Sequence, residues 1–154
     1  MLKFRNMGSK YKFKHDLVGI NSRLDTLQAA ILSRKLKFLD KINLSKKKIA
    51  NYYNQNINND KIRKINYSKS CLFHQYVILT NKRNKLIKLL KTKNIPFGFH
   101  YPYPIHQIHS LKGFFKNQTY PNAEKIAKEG ISLPIDSNLT IKNLQKITKI
   151  INSL

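Results

Sequence analysis

The sequence predicts an α+β fold in which helices pack on a short sheet. Apolar residues recur at three- and four-residue steps from Leu24 onward and again from Ile141, the period of an amphipathic helix. Between these stretches lie short β-branched runs, HQYVILT and ISLP, of strand length. Prolines and glycines punctuate the boundaries. With 154 residues, 41% of them hydrophobic, there is enough apolar material for a core, which excludes a disordered tail.

Taken in order, residues 1–20 show no clear period and are interrupted by Gly8 and Gly19, so they read as irregular or a short extended piece. From Ser22, a stripe of Leu24, Leu27, Ile31, Phe38 and Ile42, continued by Ile49 and Tyr53, predicts a long helix over 22–54, bent near Asp40 to Leu44. Ser22 is the expected cap, with Asp25 reaching back in a weak capping box. Asn54 to Ser70 is polar and reads as a loop holding a short extended segment around Lys64 to Tyr67.

His74 to Thr80 suits a buried strand, and Leu86, Ile87, Leu89 and Leu90 mark the helix after it, ended by Asn94 and Pro96. IPFGFHY is a second strand candidate. It leads into YPIHQIHSLKGFF, a loop of defined path, because three prolines from Pro96 to Pro104 forbid continuous helix. Pro121, Ala123, Ile126 and Ala127, with Gly130 as C-terminal cap, outline a short helix, and ISLP follows as the third strand. Thr140 caps a closing helix whose Ile141, Leu144, Ile147, Ile151 and Leu154 form one apolar face. No internal repeat is present.

The formal charge of +23 suggests a nucleic-acid or anionic-surface binder. Yet the 30 basic residues divide into 25 Lys and 5 Arg, and Asn and Ile are abundant too, a set that shares AT-rich codons. Readers of bases and phosphates usually recruit arginine for its planar fork. Compositional bias therefore ranks ahead of a specific nucleic-acid partner, and a Lys-rich nucleic-acid-binding module remains the rival reading. The single Cys71 cannot form an internal disulfide and reads as a lone buried thiol in a reducing compartment. No apolar run approaches the roughly 18 residues of a membrane span, and the basic start lacks a signal-peptide core, so a cytoplasmic location with no membrane partner is expected.

Five unclustered glycines exclude a Walker-type loop and the dinucleotide fingerprint. Among the seven carboxylates, Asp16, Asp25, Asp40, Asp60, Glu124, Glu129 and Asp136, no spacing suggests a paired acid and base. Of the five histidines, His106 and His109 stand three apart without an evident third ligand, and no metal site is expected. The informative stretch is GINSRLDTLQAAIL. A helix start attracts anions, and Asn21 and Arg23 beside it could aim an amide and a guanidinium fork at a phosphate. On spacing alone, ordinary capping and solvation account for the same residues.

NSRLDTLQAAIL, followed by KLKFLD and KKKIANYY, resembles the DegT/DnrJ/StrS family of pyridoxal-phosphate-dependent sugar aminotransferases. HQYVILT, IPFGFHYPYPIH and AEKIAKEGISLPIDSNLT resemble further family segments in the same order, so the likeness covers nearly the whole chain. It implies the small C-terminal domain of a type I aminotransferase fold, with a long helix, a short mainly antiparallel sheet and covering helices. Residues 1–20 would then be the remnant of a link from a large domain, and 21–154 the small domain. Asn21 and Arg23 fall on the family's asparagine and arginine that reach the phosphate of the cofactor in the neighbouring subunit. His100, Tyr101 and His106 fall on its histidine-tyrosine-proline loop near the active-site mouth. Ile108 stands where the family often has glutamine, with Gln107 adjacent, so contacts at that end of the loop differ.

The resemblance also implies a reaction, the transfer of an amino group, commonly from glutamate, to a nucleotide-linked keto sugar for amino-sugar or surface-polysaccharide synthesis. The lysine that links to the cofactor aldehyde, the aspartate at its ring nitrogen and the main phosphate loop belong to a region without a counterpart here. No catalytic residue is therefore assigned, and the chain is expected not to transaminate alone. It would be a fragment of a longer gene product or half of a split enzyme, partnered by a second copy or a large-domain chain, with the faces that meet that domain exposed.

Overall fold

A computed structural model describes residues 1–11, 14–116 and 118–154. The chain forms two compact units, Met1–Asp40 and Lys41–Leu154.

In the first unit, residues expected to be irregular form a short helix α1 (Leu2–Arg5) and an antiparallel pair, β1 (Ser9–Tyr11) with β2 (Lys14–His15). Lys12 and Phe13, within that expectation, lie outside the described residues. Residues 20–22 run back along the chain start: the Ile20 and Ser22 amides donate to the Phe4 and Arg5 carbonyls, each at 2.8 Å, and Asn6 bridges Asn21. The two glycines permit this return. Gly8 has φ +76°, and a Cβ there would lie 1.6 Å from the Leu17 carbonyl oxygen; one on Gly19 would lie 2.2 Å from the Gly8 nitrogen.

This pairing displaces the expected helix start. Leu24 has φ +66°, which ends the extended segment in a conformation that no α-helix accepts. Helix α2 therefore begins at Thr26 and runs to Leu36, with Asp25 as cap residue and no side-chain cap bond. The Ser22–Asp25 capping box does not form. The break falls at Lys37 and Phe38, earlier than the expected bend, where the Phe38 amide bonds the Lys35 carbonyl in a tighter turn. Helix α3 then spans Leu39–Asn56. The stripe divides accordingly: Ile49 and Tyr53 are buried, whereas α2 buries none of its residues.

The second unit is built on a three-stranded antiparallel sheet in the order β3 (Arg63–Lys64), β4 (Tyr76–Leu79), β5 (Gly130–Leu133). Tyr76 pairs with Leu133 and Ile78 with Ile131, and these four side chains are all buried. Against them pack Ile49, Ala50 and Tyr53 of α3, Leu86 and Leu90 of α4 (Arg83–Thr92), and Leu144, Ile147 and Ile151 of α6 (Ile141–Asn152). Helix α5 (Pro121–Glu129) packs on β4 and β5. Asn94 closes the turn after α4 at φ +52°, as its position before Pro96 predicts.

Three expectations are corrected here. IPFGFHY is not a strand, and only Gly98 bridges Ser132, because the prolines on either side remove the amides a longer ladder needs. The loop beyond it contains two 3-10 segments, Ile105–Gln107 and His109–Phe115. Gly130 caps α5 in an extended conformation and opens β5; its lack of a side chain matters because a Cβ would lie 2.7 Å from the Ile126 carbonyl oxygen. Ile141 is exposed, unlike the rest of its face, and Cys71 is only partly buried. Thr140 caps α6 as expected, in a full capping box with Asn143.

Candidate functional site

Asn21 and Arg23 lie together in the first unit, both exposed, on an extended segment ahead of α2 rather than on its first turn. Their setting comes from the chain start. Asn21 is held by the bridge to Asn6, and Arg5 Nη2 donates to the Arg23 carbonyl. The Arg23 guanidinium Nη1 lies 3.5 Å from Asn6 Oδ1, at the outer limit of a hydrogen bond. The segment thus offers an amide and a guanidinium, with a second guanidinium on its backbone, and its donors suit a phosphate. The helix amides of α2 start three residues beyond Arg23, so the donors this segment offers are on side chains. Arg5 was not singled out in the sequence, because its partnership with Arg23 spans eighteen positions and no local pattern marks it.

In the second unit His100 and Tyr101 are joined by a cis peptide and diverge in their contacts. His100 Nδ1 lies 2.8 Å from Ser132 Oγ, which ties the loop to β5. Tyr101 instead lines an open apolar cavity of about 450 Å³ together with Tyr103, His106, Phe115, Tyr120 and Ile126. Tyr101 and His106 are therefore brought together, while His100 serves the loop's anchorage. His106 Nε2 lies 3.0 Å from Glu124 Oε1 on α5, and its ring centroid is 4.9 Å from that of Tyr120. Glu124, Ser132 and the aromatic wall are additions to the expected set. The sequence held one hint of Glu124, its place in the family-like AEKIAKEG segment, but pairing across eighteen residues leaves no periodic signal.

The base of this region is fixed by Arg83. Its guanidinium donates to the Ala127 and Lys128 carbonyls, both at 2.6 Å, and stacks 4.2 Å from the Phe99 ring. Those carbonyls end α5, where a cation is favourable. Burial lowers the Arg83 pKa from its ordinary value, while the group stays charged. Among the described residues no group of three His, Cys, Asp or Glu could hold a metal ion.

A match to the DegT/DnrJ/EryC1/StrS aminotransferase family runs over residues 1–152. The chain belongs to this family. Family members most similar in sequence include the dTDP-3-amino-3,6-dideoxy-alpha-D-galactopyranose transaminase of Aneurinibacillus thermoaerophilus, 34% identical over 150 residues, which cover 96% of this chain and 41% of the relative. The "Pleiotropic regulatory protein" of Geobacillus stearothermophilus is 36% identical over 149 residues, covering 92% of this chain and 40% of the relative. Among solved structures, DesV of S. venezuelae, in complex with a ketimine intermediate, superposes with a TM-score of 0.89 at 28% identity, covering 98% of this chain and 42% of that one. The chain thus spans about two fifths of the length of the relatives it matches. The expected fold, the aminotransferase-like α+β small domain, agrees with this superposition. Pyridoxal phosphate is the cofactor of the DegT/DnrJ/EryC1/StrS family.

Proposed function

We propose that this chain provides the small C-terminal domain of a pyridoxal-phosphate-dependent aminotransferase that moves an amino group, with glutamate as donor, onto a nucleotide-linked keto sugar. The observation that carries the reading is the family match along residues 1–152, joined to a relative that is a dTDP-amino-sugar transaminase. The cofactor, when bound by the cofactor-binding part, supplies an aldehyde that carries the amino group and a ring that takes up electrons. This chain's work is binding and orientation. Arg23 and Asn21 hold the cofactor phosphate of a neighbouring subunit, which suits an exposed guanidinium and an exposed side-chain amide that can each donate to phosphate oxygens. Tyr101 and His106 wall the substrate's entry, and His100 fixes the path of that loop through Ser132. The partner is a second copy or a complementing large-domain chain, in the cytoplasm, and residues 1–20 serve as the link to that domain. Among the described residues no helix is long and apolar enough to cross a membrane.

A chimera tests this. The matching 41% of the A. thermoaerophilus transaminase is replaced by this chain, and cofactor retention and amino transfer to its dTDP-keto sugar are measured. The expected result is a chimera that retains cofactor and transfers the amino group, while Arg23→Ala weakens cofactor retention by roughly 10- to 150-fold, the worth of a charge-assisted hydrogen bond. Arg23→Lys restores part of it, since lysine keeps the charge without the fork. A folded chimera that neither holds cofactor nor transfers the amino group overturns the reading.

A further inference from the structure

The carboxylate of Glu124 sits where two separate parts of the cavity wall meet. Its Oε1 lies 3.0 Å from His106 Nε2 and 3.3 Å from the Tyr120 amide nitrogen, so one oxygen joins the proline-rich loop to the N-cap residue of α5. The His106 side chain is 8% exposed, against 40% for Glu124, so the imidazole is the enclosed member of the pair. Around it stand the Tyr120 ring at 4.9 Å and the rest of the aromatic lining.

The chemistry of the pair fixes a proton. An ionised carboxylate accepts hydrogen bonds and has none to donate. The contact at 3.0 Å therefore requires the proton on His106 Nε2. In the neutral ring Nδ1 is then left with its lone pair, as an acceptor.

We propose that Glu124 is a positioning residue that holds His106 in its Nε2–H tautomer, and thereby makes His106 a hydrogen-bond acceptor toward whatever enters the aromatic cavity. The group that His106 meets is a hydroxyl or an N–H of the ligand, such as those of a sugar or a base, and not a phosphate oxygen. Phosphate recognition falls to Arg23 and Asn21, whose donors differ in kind. The ligand half of this inference rests on the proposed substrate role of His106, whereas the Glu124 half stands on the contact alone.

The test reads the ring proton of His106 by nitrogen-resolved NMR in the ligand-free full chain near neutral pH. A protected N–H signal assigned to Nε2 is expected. In Glu124→Ala that proton exchanges with water faster by about tenfold or more, because its acceptor is gone. Glu124→Gln keeps an amide oxygen in the same place and preserves the Nε2 signal. Glu124 also bonds the Tyr120 amide, but a role confined to capping α5 would leave the imidazole proton unmoved. A proton found on Nδ1, or an exchange rate unchanged in Glu124→Ala, overturns the proposal. Should Glu124→Ala fail to fold, the wild-type proton position and Glu124→Gln still decide it. Since no ligand is present, failure here counts against Glu124, while failure of the chimera counts against the substrate reading.

Discussion

Gly8 bears the tightest constraint on any single residue of the N-terminal unit. At φ +76° it occupies backbone space that side chains rarely adopt, and the Leu17 carbonyl oxygen fills the position of a would-be Cβ. Gly8→Ala is therefore expected to cost more than about 1 kcal/mol and to open the segment that carries Asn21 and Arg23. Limited proteolysis checks this: cleavage within Met1–Asp40 should quicken while Lys41–Leu154 keeps its resistance. Unchanged cleavage would mean that the N-terminal return does not depend on this glycine. Leu24, at φ +66°, is the other residue held against its preference, and it stands directly between Arg23 and the cap of α2. The sequence singled out Asn21 and Arg23 together but placed them on a helix start, whereas they lie on an extended segment ahead of α2. Their position is set instead by Arg5 and Asn6, residues with nothing local to single them out.

At the scale of elements, α6 was the most legible. Its apolar residues at 144, 147, 151 and 154 are buried, and Thr140 with Asn143 makes the reciprocal cap, the Asn143 amide donating to Thr140 Oγ1 at 3.2 Å. Thr140→Ala removes that acceptor and should lower stability by about 1 kcal/mol. Urea denaturation followed by circular dichroism would read this as a lower midpoint at unchanged slope; no shift would show that the cap is dispensable. Helix α2 is the opposite case. Its apolar residues also recur at helical steps, yet Leu27 is 74% and Leu36 68% exposed, because periodicity reports an apolar face and not what covers it. The second strand candidate failed for a related reason: apolar residues at 95, 97 and 99 resemble an alternating strand, but adjacent prolines leave a single bridge.

For the molecule as a whole, the core of the second unit sets the response to alkali. Tyr53 donates its hydroxyl proton to the Pro134 carbonyl at 2.7 Å, and Tyr76 donates to Asn54 Oδ1 at 2.6 Å. Burial pushes the phenols of Tyr53, Tyr67 and Tyr76 above their ordinary value of 10.0, with neighbouring phenols adding to the effect at Tyr53 and Tyr76. In the unfolded chain these groups lose their protons first, so the unfolded state binds fewer protons above that value. Stability is accordingly full below pH 10 and falls as pH rises beyond it. Alkaline titration should show cooperative unfolding coincident with late tyrosinate absorbance, and Tyr53→Phe should move the transition to higher pH. Ionisation of all tyrosines near their ordinary value, without unfolding, would contradict the buried cluster. The charge of +23 plays little part in this core. Lysine is spread over helix faces and loops, while Arg5 and Arg83 serve particular carbonyls and, for Arg83, the Phe99 ring.

The sequence by itself determined the fold class, the C-terminal helices and the strands β4 and β5 in order, and the family, because hydrophobic period, caps and breakers are local and the family segments lie in order along the chain. It also marked Asn21, Arg23, Tyr101 and His106. Only the tertiary structure decided that the chain start and residues 20–22 pair, that His100 anchors to Ser132, and that Glu124 joins His106. Each of these contacts links residues at least thirteen positions apart, and such pairings depend on packing and hydrogen-bond geometry that no local period encodes.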